Sequence, residues 1–264
     1  MIEPDTDSAI ATWTDRPKPR DGHAPIAGLS EQIALALEEA ILVGRRKSGE
    51  RLVESEIAAD MGTSNGPVRE AFHELENLGL VASIPRRGTF VTEFTAQLAR
   101  EVFSLRAVLE VSALRLAFQC LDDRAFARYD EALEQIEREP DGPASSPRLM
   151  VDWDIRFHDI LFDLCGHRLL RQNWRRLRVQ ARVLLLVNGV LWSANASSRD
   201  ERAGSMVDVH RPLVESLKAR DLALAEHRFV AHLAEGERRI VRKMAPPDRD
   251  QPTLVDTLTE PSHD

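Results

Sequence analysis

The sequence feature that most constrains the fold is a long stretch, from about Ala96 to Lys243, in which apolar residues recur at helical spacing only. No apolar–polar alternation of the strand type interrupts it, so an all-α bundle without interleaved strands is expected. Two segments, PDGPASSP and SANASSRD, have the composition of loops. The pattern predicts six helices, at about 96–119, 123–138, 148–165, 167–190, 199–219 and 221–243.

Residues 28–95 show a different pattern of apolar and polar residues. Three short helical patterns, the first with Ser30 as the expected N-cap and Gly44 as its stop, precede two β-like runs that flank the basic turn RRG. This is the element order of a winged helix-turn-helix. We therefore predict a mostly α protein whose winged helix-turn-helix domain precedes a helical domain of about six helices. The expected bounds are 28–95 and 96–244, with flexible tails at 1–27 and 245–264.

Composition argues against several classes of protein. Cys120 and Cys165 are far apart and outside any CxxC pattern, so neither a disulfide framework nor a cysteine zinc site is expected. The most apolar run, VLLLVNGVLW, is too short and too broken to cross a bilayer, and the first twenty residues lack a secretory pattern. We expect a cytoplasmic protein with no membrane partner. The net charge of −8 argues against nucleic acid unless basic residues are locally concentrated.

The segment GTSNGPVREAF begins the third helical pattern of residues 28–95. Ser64 can cap this helix, and Pro67 lies in the first turn, where backbone N–H groups have no helical partner. One side is apolar, and the other carries polar side chains about four residues apart: Asn65, Arg69, His73 and Glu76. Such a helix can lie in the major groove of DNA with its N-terminal residues at the base edges. The alternative is a small helix with a solvated polar face.

The hairpin that follows favours the DNA interpretation. Arg86 and Arg87 stand at its turn beside Gly88, where they can reach phosphates or the minor groove. A further basic cluster, which starts at Arg45, precedes the second helix. Residues 28–94 nevertheless hold seven basic and eleven acidic residues, a balance of −4. Binding would therefore depend on local basic patches and would be strongly salt-sensitive.

The stretch GERLVESEIAADMGTSNGPVREAFHELENLGLVASIPRRGTFV resembles the N-terminal domain of the GntR family of bacterial transcription regulators. The resemblance implies that Arg69 contacts DNA from the recognition helix and that Gly88 permits the wing. This chain departs from the family pattern at Asn65, which replaces a common arginine that tends to contact guanine. Asparagine prefers the adenine edge when it reads a base. The operator sequence is therefore not transferable from relatives.

A second group of polar residues lies in the helical region. Asp154 and His158, four residues apart, fall on the same apolar stripe, and His210 and His232 fall on the apolar stripes of two later helices. An acid and an imidazole at this spacing can bind one metal ion, or they can form a simple pair at the edge of a core. Three inward histidines and an aspartate are costly to bury without a partner, which favours a divalent metal. Pro212 indicates that the helix carrying His210 starts near 208 or 209.

DIRFH, followed by HRPLVESLKARDLALAEHRFVAHL, resembles the C-terminal FCD domain of the FadR-like GntR branch, which implies that these four residues are its metal ligands. SLRAVLE resembles an RxxLE helix and places Arg106 on the inner face. A buried arginine needs an anion, either a carboxylate effector or an internal acidic side chain. Arg178 and Asn188 are further candidates for the pocket.

These observations predict a dimeric regulator that binds a near-palindromic double-stranded operator through its winged domain and a small organic acid through its helical domain. Repression relieved by ligand is the expected mode, with activation open. Zinc is the first choice of metal, with nickel, manganese or iron as alternatives. A metal-dependent enzyme is the competing class, although no inward carboxylate is evident beyond Asp154 except Glu110. A metal that is itself the signal, or purely structural, also stays open.

Overall fold

The computed structural model of the chain describes residues 28–138, 147–187 and 199–244. Both predicted tails and Asn188 lie outside these ranges. The first part comprises three helices and three short strands. The helices are α1 (Leu29–Leu42), α2 (Glu54–Asp60) and α3 (Asn65–Asn77). The strands are β1 (Arg51–Leu52), β2 (Val81–Ile84) and β3 (Gly88–Val91), which form an antiparallel sheet in the order β1-β3-β2.

The strand β1 was not expected from the sequence. Its two residues pair with Phe90 and Thr89 of β3, and Leu52 is buried beneath the sheet. Two residues are too few to establish an alternating pattern, so only the tertiary pairing reveals them. The wing itself follows the prediction: β2 and β3 pair in register, and Arg86 and Gly88 take positive φ angles of 63° and 106° in their turn.

The N-cap of α1 differs from the one predicted from the sequence. Ser30 does not cap α1, because Gly28 is the N-cap and its carbonyl already accepts a hydrogen bond from the amide of Gln32. Ser64 does take the extended N-cap position of α3, although its side chain makes no capping hydrogen bond. Helix α3 buries Val68 and Ala71 of its apolar stripe completely, which fixes the opposite face toward solvent.

The second part is helical throughout its described residues, as predicted. Its helices are α4 (Ala96–Ala117), α5 (Asp123–Arg138), α6 (Pro147–Leu164), α7 (Arg168–Val187), α8 (Arg199–Lys218) and α9 (Leu222–Met244), with a 3-10 turn at Phe118–Cys120. Helix α4 packs against α6, α7 and α9, and α5 packs against α6 and α8. The bounds predicted from the apolar periodicity agree to within two residues, apart from the end predicted at 190, which lies outside the described residues. The agreement follows because the periodicity that defines each helix is local.

The start predicted near residue 208 for the helix that carries His210 is wrong. Helix α8 begins at Arg199 and runs through Pro212. A proline inside a helix removes one backbone hydrogen bond but does not end the helix when packing supports it on both sides. Here the carbonyl of Pro212 accepts a hydrogen bond of 2.5 Å from the guanidinium of Arg228 on α9.

Polar side chains join the winged part to the helical part at one surface. Arg182 of α7 pairs with Asp152 of α6 at 2.6 Å and lies 3.7 Å from Glu38 of α1. Arg148 of α6 forms an ion pair with Glu39 of α1. Burial raises the pKa of the Glu38 carboxyl despite the opposing effect of Arg182. Ion pairs thus connect helices α1, α6 and α7, and we call these pairs the interdomain contact.

Candidate metal centre and nucleic-acid interface

The structure brings the four predicted metal ligands together. Asp154 and His158 come from α6, His210 from α8 and His232 from α9, and their ligand atoms all lie within 4.8 Å of one another. His158 and His210 are fully buried, Asp154 is 3% exposed and His232 is half-buried. Residues separated by up to 78 positions along the chain therefore meet in one cluster because three helices direct their inner stripes to the same point.

The orientation of His158 is set by Glu110 on α4. The carboxylate Oε2 of Glu110 accepts a hydrogen bond of 2.6 Å from Nδ1 of His158. This bond fixes the tautomer that leaves Nε2 as an unprotonated acceptor. Nε2 is buried, lies 4.0 Å from Oδ1 of Asp154, and makes no hydrogen bond within the described part of the chain. A buried nitrogen lone pair of this kind fits a metal ligand.

Arg106 compensates the two buried carboxylates. Its Nε donates to Glu110 at 2.6 Å, and its Nη2 donates to Asp154 at 3.3 Å. Burial raises the pKa of the Asp154 carboxyl, but Arg106 and His210 outweigh this and hold it well below its usual value. Burial acts in the same sense on Glu110, and His158 and Arg106 again lower its pKa. Both carboxyl groups are therefore ionised at neutral pH, as metal coordination and its support require.

Two histidines of the cluster, His158 and His232, favour their neutral forms. Burial lowers the pKa of His158, and Glu110 opposes this only in part. Burial, together with the neighbouring imidazoles of His210 and His158, lowers the pKa of His232 well below its ordinary value. Since only a neutral imidazole can donate its lone pair, these nitrogens suit a metal without prior loss of a proton. Three imidazoles and one carboxylate fit borderline ions such as zinc, nickel, manganese or iron.

A cavity of about 490 Å³ opens on one side of this cluster. Arg106, Asp154 and His232 line it, so one of the predicted effector residues does face a space that can hold a small molecule. Arg106 is also paired with internal carboxylates, which is the alternative to a carboxylate effector that remained open from the sequence. Arg178, the other predicted effector residue, is not part of the described lining. Its guanidinium pairs instead with Asp159 at 2.7 Å, because the two side chains meet where α7 packs on α6.

Two acidic residues have a larger part in this region than the sequence indicated. Glu110 was recognisable as the i+4 neighbour of Arg106, but its bond to His158 depends on how α4 packs against α6. Glu237 of α9 is 1% exposed, so the expectation that Glu110 would be the only other inward carboxylate is wrong. The signal was available, since Glu237 follows the buried Leu233 by one helical turn.

The polar face of α3 is exposed. Arg69 is 63% exposed and donates to Glu54 of α2 at 2.7 Å, while His73 is 77% exposed. Ser64 and Asn65 are exposed at the start of the helix. Ser64, Asn65 and Arg69 therefore share an accessible surface in the N-terminal half of α3, where the positive end of the helix dipole also lies, and His73 follows Arg69 one turn later on the same face.

The predicted basic residues outside α3 are accessible as well. Arg86, Arg87 and Gly88 are exposed at the tip of the wing, and the guanidinium of Arg87 lies 5.8 Å from the ring centre of Phe90. Arg45 is exposed after α1, whereas its neighbour Arg46 is engaged with Glu50 at 2.8 Å. Exposed arginines thus lie on α3, at the tip of the wing and after α1, although residues 28–94 as a whole are acidic.

Two known protein families match this chain, one in the winged part and one in the helical part. Residues 29–91 match the bacterial regulatory proteins of the gntR family, and residues 101–235 match the FCD domain. The chain belongs to the GntR family of bacterial regulatory proteins. It is a DNA-binding transcription regulator, and the competing interpretation as a metal-dependent enzyme is excluded by this membership.

Individual GntR relatives are distant in sequence. A protein of Paenarthrobacter nicotinovorans named as a D-xylose utilization operon transcriptional repressor is 31% identical over 194 residues, which cover 74% of this chain and 80% of that protein. A GntR regulator from Rhodococcus sp. RHA1 aligns with a TM-score of 0.60 at 25% identity, covering 80% and 96% of the two chains. Escherichia coli McbR/YncC aligns with the same TM-score at 22% identity, covering 79% and 95%, which supports the fold alone.

The fold class and the family resemblance predicted from the sequence are confirmed. Each helix within the described residues is too short or too polar to cross a bilayer.

Proposed function

We propose that this GntR regulator is a metal-loaded repressor whose operator affinity is controlled by a small carboxylate bound in the helical part. The observation that carries the proposal is the continuity between the Asp154–His158–His210–His232 cluster and the cavity that Arg106 also lines. A repressor is favoured over an activator because the relative from P. nicotinovorans is named as one. Its place of action is the cytoplasm, where the operator lies.

The four ligands would hold zinc in the first instance, with nickel, manganese or iron as alternatives. A bound divalent ion would supply a positive centre that attracts a carboxylate. The protein's own residues prepare that site. Glu110 orients His158, and the neutral imidazoles of His158 and His232 keep their lone pairs available.

Arg106 would contribute the second contact to the effector. Two of its five N–H groups are engaged by Glu110 and Asp154, and its side chain still lines the cavity. Its compensated charge explains why it is tolerated at 1% exposure in the absence of effector. The remaining N–H groups can donate to a carboxylate, and a planar guanidinium gives that contact its direction.

The interdomain contact would transmit the effect of effector binding from the helical part to the DNA-binding surface. Asp152, which pairs with Arg182, lies two residues before the ligand Asp154 on α6. Arg182 in turn approaches Glu38 of α1, a helix that packs directly on the recognition helix α3. An effector can act along this route only if it binds one arrangement of the helical and winged parts more tightly than the other.

A homodimer would present two winged parts to the half-sites of a near-palindromic operator. Helix α4 carries an exposed apolar face that such an interface could cover, formed by Leu105, Val108 and Leu116 at 48%, 40% and 45% exposure. In the dimer, a changed tilt of each winged part would alter the spacing between the recognition helices. The affinity for a fixed half-site spacing would then fall.

The proposal is tested by operator binding of one preparation in three states: metal-free, zinc-loaded, and zinc-loaded with acid. The operator is first selected from a pool of random duplexes. We expect the zinc-loaded protein to bind the selected operator and an acid to weaken that binding at least fivefold, the lower range of allosteric coupling. Release of DNA on zinc binding alone would instead identify the metal as the signal. Equal affinity in all three states would contradict both.

Asn65 supplies a separate test of the DNA interface. In Asn65→Arg the longer side chain can donate two hydrogen bonds to guanine, whereas asparagine matches adenine. We expect selection with the variant to exchange adenine for guanine at one position of each half-site. An unchanged base preference would show that residue 65 does not read a base.

A further inference from the structure

The lining of the cavity beside the metal ligands combines charged side chains with apolar ones. Arg106, Asp154 and His232 line it where it meets the ligand cluster. Most of the remaining wall is apolar and is built by α4, α7, α8 and α9; it comprises Phe103, Leu185, Val209, Leu213, Leu224 and Leu233. Outside the group of Arg106, Asp154 and His232, the lining is therefore mainly apolar.

The described lining contains no serine, threonine, tyrosine, asparagine or glutamine. Five charged or imidazole side chains lie elsewhere in the lining; three of them already have protein partners, and Asp208 and His227 are exposed. Arg239 pairs with Glu235 at 2.9 Å, and Arg228 donates to the carbonyl of Pro212. Hydroxyl groups along the body of a bound molecule would lose water and find few partners on this part of the wall.

We propose that the effector is an amphiphilic monocarboxylate, with an aliphatic or aryl body and without hydroxyl groups along it. Its carboxylate lies at Arg106 and the metal ligands, and its body lies against the apolar wall. This inference rests on the carboxylate effector proposed above and adds its chemical class. A sugar acid of the same length carries the same carboxylate, but each of its hydroxyl groups that loses water without finding a partner weakens binding.

The size of the cavity agrees with a body of several carbons, because about 490 Å³ far exceeds the volume that a two-carbon acid needs. Each methylene group transferred from water to an apolar wall strengthens binding roughly fourfold. Four additional methylenes should therefore improve affinity on the order of a hundredfold when all of them are buried. Chain length is then a direct measure of how far the apolar wall extends.

The test uses the zinc-loaded full-length protein and three sodium salts, measured by isothermal titration calorimetry at one pH. Acetate tests the carboxylate alone, hexanoate adds an apolar body, and gluconate has the same six carbons and charge as hexanoate with five hydroxyl groups. We expect hexanoate to bind at least tenfold more tightly than either other acid. The bound zinc is quantified after each titration, so that removal of the metal by gluconate is recognised.

Ala231 of α9 provides a steric variant at the wall, and Ala223 of the same helix provides its control. Ala231 is half-buried and lines the cavity, whereas Ala223 is exposed and does not. Ala231→Leu fills part of the space for the body and should lower hexanoate affinity at least tenfold while acetate affinity and zinc content persist. Ala223→Leu makes the same change in side chain on the solvent side and should leave all three affinities as they are.

The outcomes separate this inference from the proposal on which it rests. Hexanoate preference that Ala231→Leu removes supports both. Gluconate binding as tight as hexanoate binding, with zinc retained, overturns the apolar class and leaves the carboxylate effector intact. If none of the three acids binds the zinc-loaded protein, the carboxylate effector itself is wrong, and the inference falls with it.

Discussion

Two helix faces in this regulator carry polar residues four positions apart, and they differ in what they demand of the fold. On α3, Arg69 and His73 are 63% and 77% exposed. On α6, Asp154 and His158 are 3% and 0% exposed. The exposed face is solvated without DNA and needs no internal partner, whereas the buried face must be satisfied inside the protein before any ligand arrives. We therefore expect substitutions on α3 to affect binding only, and substitutions at the buried cluster to affect stability as well.

The first prediction concerns the buried charges, whose loss should change the free energy of unfolding most. Arg106→Ala leaves the carboxylates of Glu110 and Asp154 without their shared cation, which should lower the free energy of unfolding by about 3–5 kcal/mol. Urea denaturation of the metal-free protein measures it. Arg115→Ala is the matched control on the same helix, because Arg115 is 62% exposed and its pair with Glu226 should contribute under about 1 kcal/mol. Equal losses in the two variants would show that burial does not distinguish these pairs.

The next prediction concerns the stabilisation of the buried cluster by a bound metal ion. Zinc at about one hundred times its dissociation constant should stabilise the folded protein by roughly 2.7 kcal/mol, since the ion binds the assembled cluster. Thermal denaturation with and without a chelator detects this change. His232→Ala should abolish the zinc-dependent part, and His227→Ala, an exposed histidine of the same helix, should retain it. Zinc stabilisation that survives in His232→Ala would exclude that residue as a ligand.

On the exposed side, Arg69→Ala should weaken specific operator binding by about 1–3 kcal/mol. Its pair with Glu54 is exposed, so the free energy of unfolding should change by less than about 1 kcal/mol. Fluorescence anisotropy with the selected operator and denaturation of the same sample give the two values. A variant that loses stability but keeps operator affinity would reverse the roles that we assign to the two faces.

The smallest effect concerns pH. The pKa values of His158 and His232 are lowered in the folded chain, whereas both imidazoles titrate near 6.5 when unfolded. The unfolded chain therefore binds protons that the folded chain resists, and the free energy of unfolding should fall as the pH drops below about 6.5. Between pH 7.5 and 6 the loss is on the order of 1 kcal/mol per imidazole at most.

The two carboxyl groups of the cluster do not contribute to this change. The pKa values of Glu110 and Asp154 are also lowered, but a carboxyl group loses its contribution only as the pH falls through its own low value. Denaturation of the metal-free protein at several pH values provides the measurement. Stability that rises between pH 7.5 and 6 would show that these histidines are protonated in the folded state.

The helices and the identity of the clustered side chains could be predicted from the amino-acid sequence. Helical periodicity is a property of neighbouring residues, so the spacing of Asp154 and His158, and the inward positions of His210 and His232, could be recognised without coordinates. The same local logic predicted α3 and the wing. It failed for β1, whose two residues carry no period, and for the helix start near Pro212, where tertiary packing overrides a local preference.

The compensation of the buried charges and the lining of the cavity depend on how the helices pack against one another. Arg106 meets Asp154, and Glu110 meets His158, across the same separation of 48 residues, because two successive turns of α4 face two successive turns of α6. The apolar wall likewise forms from four helices that are distant in the sequence. Contacts of this kind depend on which helices pack together, and periodicity within one helix contains no information about its neighbour.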